Sequence, residues 1–582
     1  MLGNDVRETK TAIAFPSYRR KLQLPRSEAI VCYGVFAAVI VLVLLPLAPL
    51  IYQSLIDRPL YDPGKQFTLA NYRRLFTSDE FGLVALRTML FAFSTTIVAQ
   101  FIGVVTAVLV GRTDMPGRSF MGALLVWPLL LSTLVMAFGW FMLYGPSGYF
   151  TLILKQFMAG EPWSLYSIGG MALVAGVSQA PVTYLYCISA TRMADSALEE
   201  AARVCGARPM RVLMSVTLPL LRPAMLYSAA LNFVVAIETL SVPLIFGEPV
   251  GITLLTSYLF TKGMSGAQPD YGLLGTAAVL LLAIVCVLIF LQNRFLRNAR
   301  RFVTIGGKAP RPRLLALGKW RWPAAVLVGA YLFLFVIAPL VILVFRAFVS
   351  FLTPYISPLD LLTLHNFAVV AGSESDIRAI VNTILISFIG AGLGTFLVAV
   401  IAIVVHRSDF RFRGALEYFA LFPRAIPGIV AGIGFFYAMV LVAPLAALRN
   451  TIVVMIVAYI MRYIPLGFST VAPLLLQISP DMERSARTMG ADWWASVSRI
   501  TLGLMKPAML ACFTLLFIHF FKEYSVAVFI YAPGSEVIGT TLLSYFVQGS
   551  MGEVSVLASI QIVVTLAFVF VATRVLKVKL HG

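Results

Sequence analysis

Apolar runs of membrane-crossing length fall near residues 30–53, 83–111, 119–144, 167–190, 224–247, 271–293, 323–346, 377–405, 415–446, 451–475, 508–532 and 553–575. A hydrocarbon core of about 30 Å takes about 20 apolar residues as helix, and these runs are continuous instead of alternating, so they predict helices and not a barrel. Twelve spans result, of which the third, fourth, ninth and tenth are interrupted by glycine, proline and polar residues. The first run, about 29–55, exceeds the ~7–15 residues of a signal-peptide core and reads as a retained span.

The polar stretches between runs differ in sign. Arg7, Lys10, Arg19, Arg20, Lys21 and Arg26 precede the first run, and Arg112 with Arg118, Arg294 to Arg321, Arg407, Arg411, Arg413, and Arg574, Lys577 and Lys579 follow on the same side. The opposite loops carry Asp57, Asp62, Asp79, Glu80, Glu161, Glu248, Asp360 and Glu374. Basic loops stay inside, so both termini are expected in the cytoplasm.

The chain repeats itself. Thr68-Leu69-Ala70-Asn71 recurs as Thr363-Leu364-His365-Asn366, Arg112-x-Asp114 as Arg407-x-Asp409, and Arg118, Pro128 and Gly139 as Arg413, Pro423 and Gly434, all 295 residues later. Beyond the third span the offset becomes 284, relating Ala202-Arg203 to Ala486-Arg487, Gly206-Ala207 to Gly490-Ala491 and Pro223 to Pro507. Six spans per half is an even number, so the halves are parallel repeats about an axis along the membrane normal. The expected fold is an all-α polytopic membrane protein: residues 1–299 form the first half, 300–322 a basic cytoplasmic linker and 323–582 the second half.

Composition narrows the function. Of 582 residues, 60% are hydrophobic and 12% charged, which excludes a soluble globule for most of the length. The net charge of +19 sits in clusters beside the spans and not in one stripe, so it reads as membrane orientation, with lipid and no nucleic acid as partner. Cys32, Cys187, Cys205, Cys286 and Cys512 are scattered and suggest no disulfide framework. His365, His406, His519 and His581 lack metal-ligand spacing. Gly390-x-Gly392-x-Gly394 lies in an apolar span and reads as helix packing, and no phosphate-binding Gly-x-x-x-x-Gly-Lys-[Ser/Thr] occurs.

Between the fourth and fifth spans of each half lies a short amphipathic stretch, about 195–207 and 479–491. Asp195 and Ser479 suit an N-cap, Pro480 the first turn, Ser196-x-x-Glu199 a capping box, and Gly206 and Gly490 a positive-φ stop. Leu198, Ala201, Ala202 and Cys205 share one face, where small residues allow close approach by a partner. A helix that merely lies in the membrane interface is the other reading; its recurrence at equivalent positions, with Gly-Ala in the same place, favours a docking role.

The Glu-Ala-Ala-x-x-x-Gly pattern with Leu218-Pro219 resembles the coupling motif of type I ABC importer permeases, and the resemblance covers nearly the whole chain, once per half. It implies that Glu199, Glu200, Ala201, Ala202, Gly206 and Ala207 form one docking site for a cytoplasmic ATPase, and Glu483, Ala486, Gly490 and Ala491 a second. It further implies two ATPase copies, ATP and Mg on that subunit with no cofactor on this chain, an extracytoplasmic solute-binding protein, and a non-enzymatic role in a bacterial inner membrane. Arg484-Ser485 and Gly503 depart from the pattern in the second half. Fusion of the halves, the Thr-Leu-x-Asn segments and Lys522-Glu523-Tyr524-Ser525 are similar to the ferric-iron permease branch; fused relatives serve thiamine, polyamines and aminoethylphosphonate.

Ionisable residues deep in a span are costly and point to function. Glu238, Arg462, His519, Lys522 and Glu523 qualify. Glu238 and Glu523 lie one residue out of register in the repeat, so they are expected to face each other as a transient site for a hard cation such as Fe(III). An ion pair of Glu523 with Arg462 or Lys522 is the competing reading. Two other classes compete, an ion-gradient-driven secondary transporter and an intramembrane enzyme; the latter lacks an aligned nucleophile and base.

Overall fold

The computed structural model describes residues 26–158, 160–193, 196–264, 270–299, 314–357 and 359–574. Asp195, linker residues 300–313 and the basic termini 1–25 and 575–582 lie outside the described residues. Among the described residues the chain is helical, with three isolated β-bridges. Among the described residues, nine helices are long and apolar enough to cross a membrane, and four further helix pairs pass the same test as bent units.

Four of the expected spans are corrected. The third and ninth break at right angles, Arg118–Leu130 with Thr133–Lys155 at 105° and Arg413–Ala425 with Gly428–Leu441 at 108°. In the second half Pro427 forces Ile426 out of the helical region, to φ −97° and ψ 109°. The fifth and eleventh do not run on to 247 and 532: their helices stop at Glu238 and Phe521. In the first half the chain resumes at Pro243, and a further helix follows, Leu255–Met264, matched by Ile538–Gln548 in the second. Irregular backbone at membrane depth is tolerated where protein surrounds it, which marks these breaks as interior.

The two halves exchange their first spans. A Cβ on Gly139 would lie 2.5 Å from the carbonyl oxygen of Pro339, in the first span of the other half, and one on Gly434 would lie 2.6 Å from that of Pro46. The repeat thus packs reciprocally across a pseudo-two-fold axis, with two glycines allowing the backbones to meet. Gly434→Val is expected to lower stability by about 1–3 kcal/mol through overpacking, seen as a lower melting temperature of the detergent-solubilised chain; an unchanged melting point would contradict this packing. Within the second half Gly390 and Gly394 make room for the side chains of Phe520 and Leu516.

The Thr-Leu-x-Asn repeat ties off the first span of each half. Asn71 Nδ2 donates to the carbonyl of Ile56 at 2.8 Å, and Asn366 Nδ2 to those of Ala347 and Val349 at 3.0 and 2.9 Å. Thr68 and Thr363 accept from the amides of Ala70 and His365, both at 3.0 Å. Backbone carbonyls left over at a helix end need such partners.

Candidate functional site

The second span of each half is a 34-residue helix, Asp79–Arg112 and Glu374–Arg407. At 1.5 Å per residue that is about 51 Å, well beyond a hydrocarbon core, so its last arginine projects to the level of the predicted docking helices. Those helices are present, as Ser196–Val204 and Asp481–Thr488. Both stop on a left-handed glycine, Gly206 at φ +84° and Gly490 at φ +93°, after which Ala207 N and Ala491 N each donate 3.0 Å back to Ala202 O and Ala486 O. The second starts one residue later than expected: Pro480 sits at its N-cap, and Ser479 Oγ accepts from Asp481 N at 3.2 Å.

Glu199 does not fold back as a capping box. Its side chain is 1% exposed and turns inward, where Oε1 lies 3.7 Å from Arg112 Nε and accepts from Thr217 Oγ1 at 2.8 Å. Glu483 repeats this with Arg407 Nε at 3.7 Å and Thr501 Oγ1 at 2.7 Å. Arg407 also donates to the carbonyls of Leu475, at 2.7 Å, and Ile478, at the end of the fourth span of its half. Thr217 and Thr501 close matching π-helical turns, Leu213–Thr217 and Val497–Thr501. The threonines were missed in the sequence, although they too recur at an offset of 284.

Of the other predicted docking residues, Glu200, Ala201, Gly206 and Gly490 are exposed, and Ala202, Ala207, Ala486 and Ala491 are half-buried. Leu198, Ala201 and Cys205 are exposed along one side of the first helix, and Met482 with Met489, just past the second helix, along one side of the second. Each helix therefore offers an uncovered apolar face.

The intramembrane charges converge at the breaks. Arg462 lies between the two carboxylates, with Nη2 3.5 Å from Glu238 Oε2 and Nε 3.4 Å from Glu523 Oε2. Glu238, the last residue of its helix, belongs to the first half and the other two to the second, so one guanidinium bridges the halves. Glu523 is the more tightly held: Tyr463 donates to Oε2, and Ser525 N, Ser525 Oγ and Val526 N donate to Oε1 at 2.8, 2.5 and 3.2 Å. Lys522 takes no part in an ion pair shown among the described residues; its Nζ donates to Leu129 O, at the bend of the third span, at 2.5 Å. Arg462 Nη1 likewise donates to Ile426 O, at the bend of the ninth, at 3.0 Å. His519 Nδ1 bonds to Leu515 O of its own helix at 2.8 Å, and its ring packs against that of Tyr463 with centroids 5.3 Å apart.

The family model for the binding-protein-dependent transport system inner membrane component matches twice, over residues 81–301 and 396–578. The chain belongs to that family. The permease is 25% identical over 502 residues to the ferric transport system permease protein FbpB of Actinobacillus pleuropneumoniae, covering 85% of this chain and 69% of that one. It is 24% identical over 514 residues to a putative ferric transport system permease protein of Haemophilus influenzae, covering 86% and 79%. A putative 2-aminoethylphosphonate transport system permease protein of Salmonella typhi is 26% identical over 238 residues, covering 40% and 81%. The two family matches correspond to the two repeats, so both halves of this permease are of one kind. It is a multi-span membrane protein with the architecture of an importer's translocation subunit.

Proposed function

We propose that the permease imports ferric iron across a bacterial inner membrane, driven by two copies of a separate cytoplasmic ATPase that carries the ATP and Mg, with a solute-binding protein delivering the iron from the other side. No cofactor is assigned to this chain. The observation that carries the reading is the pair of short helices at equivalent repeat positions, each anchored from behind by a buried arginine and open on an apolar face. Such paired faces suit two copies of one partner, and the basic loops around them favour the cytoplasm for that end and for both termini.

Iron as the solute is supported by the ferric permeases among the relatives. Glu238 and Glu523 both pair with Arg462, the competing ion-pair arrangement, so a hard trivalent cation would have to displace that guanidinium to reach their oxygens. The aminoethylphosphonate relative keeps a phosphonate as the competing solute. Co-purification with an ATPase, hydrolysis that rises on adding iron-loaded binding protein, and ATP-dependent accumulation of radioactive iron in vesicles are the expected results. Uptake of aminoethylphosphonate in place of iron would change the solute; uphill accumulation by this chain alone would replace the mechanism with a secondary transporter.

A further inference from the structure

We infer that Arg112–Glu199–Thr217 and Arg407–Glu483–Thr501 are two copies of a positioning clasp that makes each docking helix move as one body with the inner ends of the spans behind it. The inference rests on the proposed coupling to an ATPase and assigns Glu199 and Glu483 a task within the permease: they act through the bundle and not by touching the partner.

The geometry is duplicated more faithfully than the surface it supports. Between the halves, the exposed positions diverge from Glu200 to Arg484 and Ala201 to Ser485, while the arginine, glutamate and threonine keep their identities. Their distances also keep their values, 3.7 and 3.7 Å for the ion pairs and 2.8 and 2.7 Å for the hydroxyl bonds. A charged pair this deeply enclosed, with side-chain exposures of 1% and 1% in the first half and 7% and 9% in the second, cannot be reached by a docking protein.

Helices of nine and eight residues are too short to hold their shape alone. A charge-assisted contact from behind fixes their rotation and depth. The arginine ends the second span, the glutamate lies on the docking helix, and the threonine ends the π-turn that leads into the fifth span. In the second half the arginine also grips the carbonyl end of the fourth span, where a cation is favoured. A push on either docking helix therefore reaches the second and fifth spans of its half, and in the second half the fourth as well; the fifth span of the first half ends at Glu238 in the ion cluster at the half boundary.

The test uses Glu199→Gln/Glu483→Gln in the full chain, compared with wild type. For the permease alone in detergent, hydrogen exchange of the amides in 196–204 and 481–488 is expected to accelerate by about fivefold or more as local opening becomes easier, with the membrane spans unchanged. Unchanged exchange in both helices overturns the clasp whatever the ATPase does. In the complex with ATPase and loaded binding protein, co-purification is expected to persist while stimulated hydrolysis and uptake fall together. Loss of co-purification with unchanged exchange would make the glutamates docking contacts and overturn the inference. An ATPase that binds neither wild type nor variant would remove the proposed coupling while leaving the exchange result to judge the clasp. Thr217→Val/Thr501→Val, which keeps both ion pairs, is expected to move exchange in the same direction by less, and serves if the glutamine variant does not fold.

Discussion

Arg462→Met is expected to be among the most damaging single substitutions in this permease. It leaves Glu238 and Glu523 side by side without the guanidinium that lies 3.5 and 3.4 Å from their oxygens. Removing one partner from a buried ionic group costs about 3–5 kcal/mol, because the remaining charge stays buried and uncompensated. The permease should melt at a clearly lower temperature in detergent and lose transport. Adding Glu238→Gln to Arg462→Met should recover part of the loss, since one of the two uncompensated charges is then gone; the double-mutant cycle measures that coupling. Equal melting temperatures for wild type and Arg462→Met would mean that the three groups do not act together.

Glu238→Gln and Glu523→Gln separate transport from folding. Among the described residues the first carboxylate forms its ion pair with Arg462, at the end of a helix whose terminal carbonyls already favour a cation. The second collects bonds from Tyr463, Ser525 and Val526 besides the guanidinium. Glu238→Gln is therefore expected to lower iron uptake by about tenfold, the equivalent of roughly 1.4 kcal/mol, with little change in melting temperature. Glu523→Gln should lower both, since an amide cannot accept at all the positions the carboxylate fills. Assembly with the ATPase should survive in the double variant, because the cluster lies at the breaks within the membrane and not on the docking helices. Normal uptake by the double variant would take the carboxylates out of the pathway.

These sites were legible in the sequence to different depths. Arg112 and Arg407 stand out as one repeated motif and Glu199 and Glu483 occupy matching places in another, yet 87 and 76 residues of chain separate the partners. Nothing in either motif says that they meet. Glu199 carries two readings from sequence, a helix cap and a docking contact; the buried guanidinium behind it overrides the first, since a charge pair in a low dielectric outweighs a local bond to backbone. The sequence allows Glu523 to pair with Arg462 or with Lys522; the structure forms the first pair, while Lys522 bonds a main-chain carbonyl.

Length and hydropathy by themselves determined a polytopic helical protein, because a bilayer admits a helix only as an unbroken apolar run and such runs are visible one residue after another. Two registers of repetition determined the duplication, and glycine after a short amphipathic stretch determined where each docking helix stops, since positive φ is a property of the residue itself. Only the tertiary structure decided where spans bend, that Pro46 and Pro339 cross to the opposite half, and that Arg462 stands between two carboxylates from different halves. Those outcomes depend on which surfaces and charges meet across hundreds of residues, and burying a charge forces a choice of partner that no local pattern can specify.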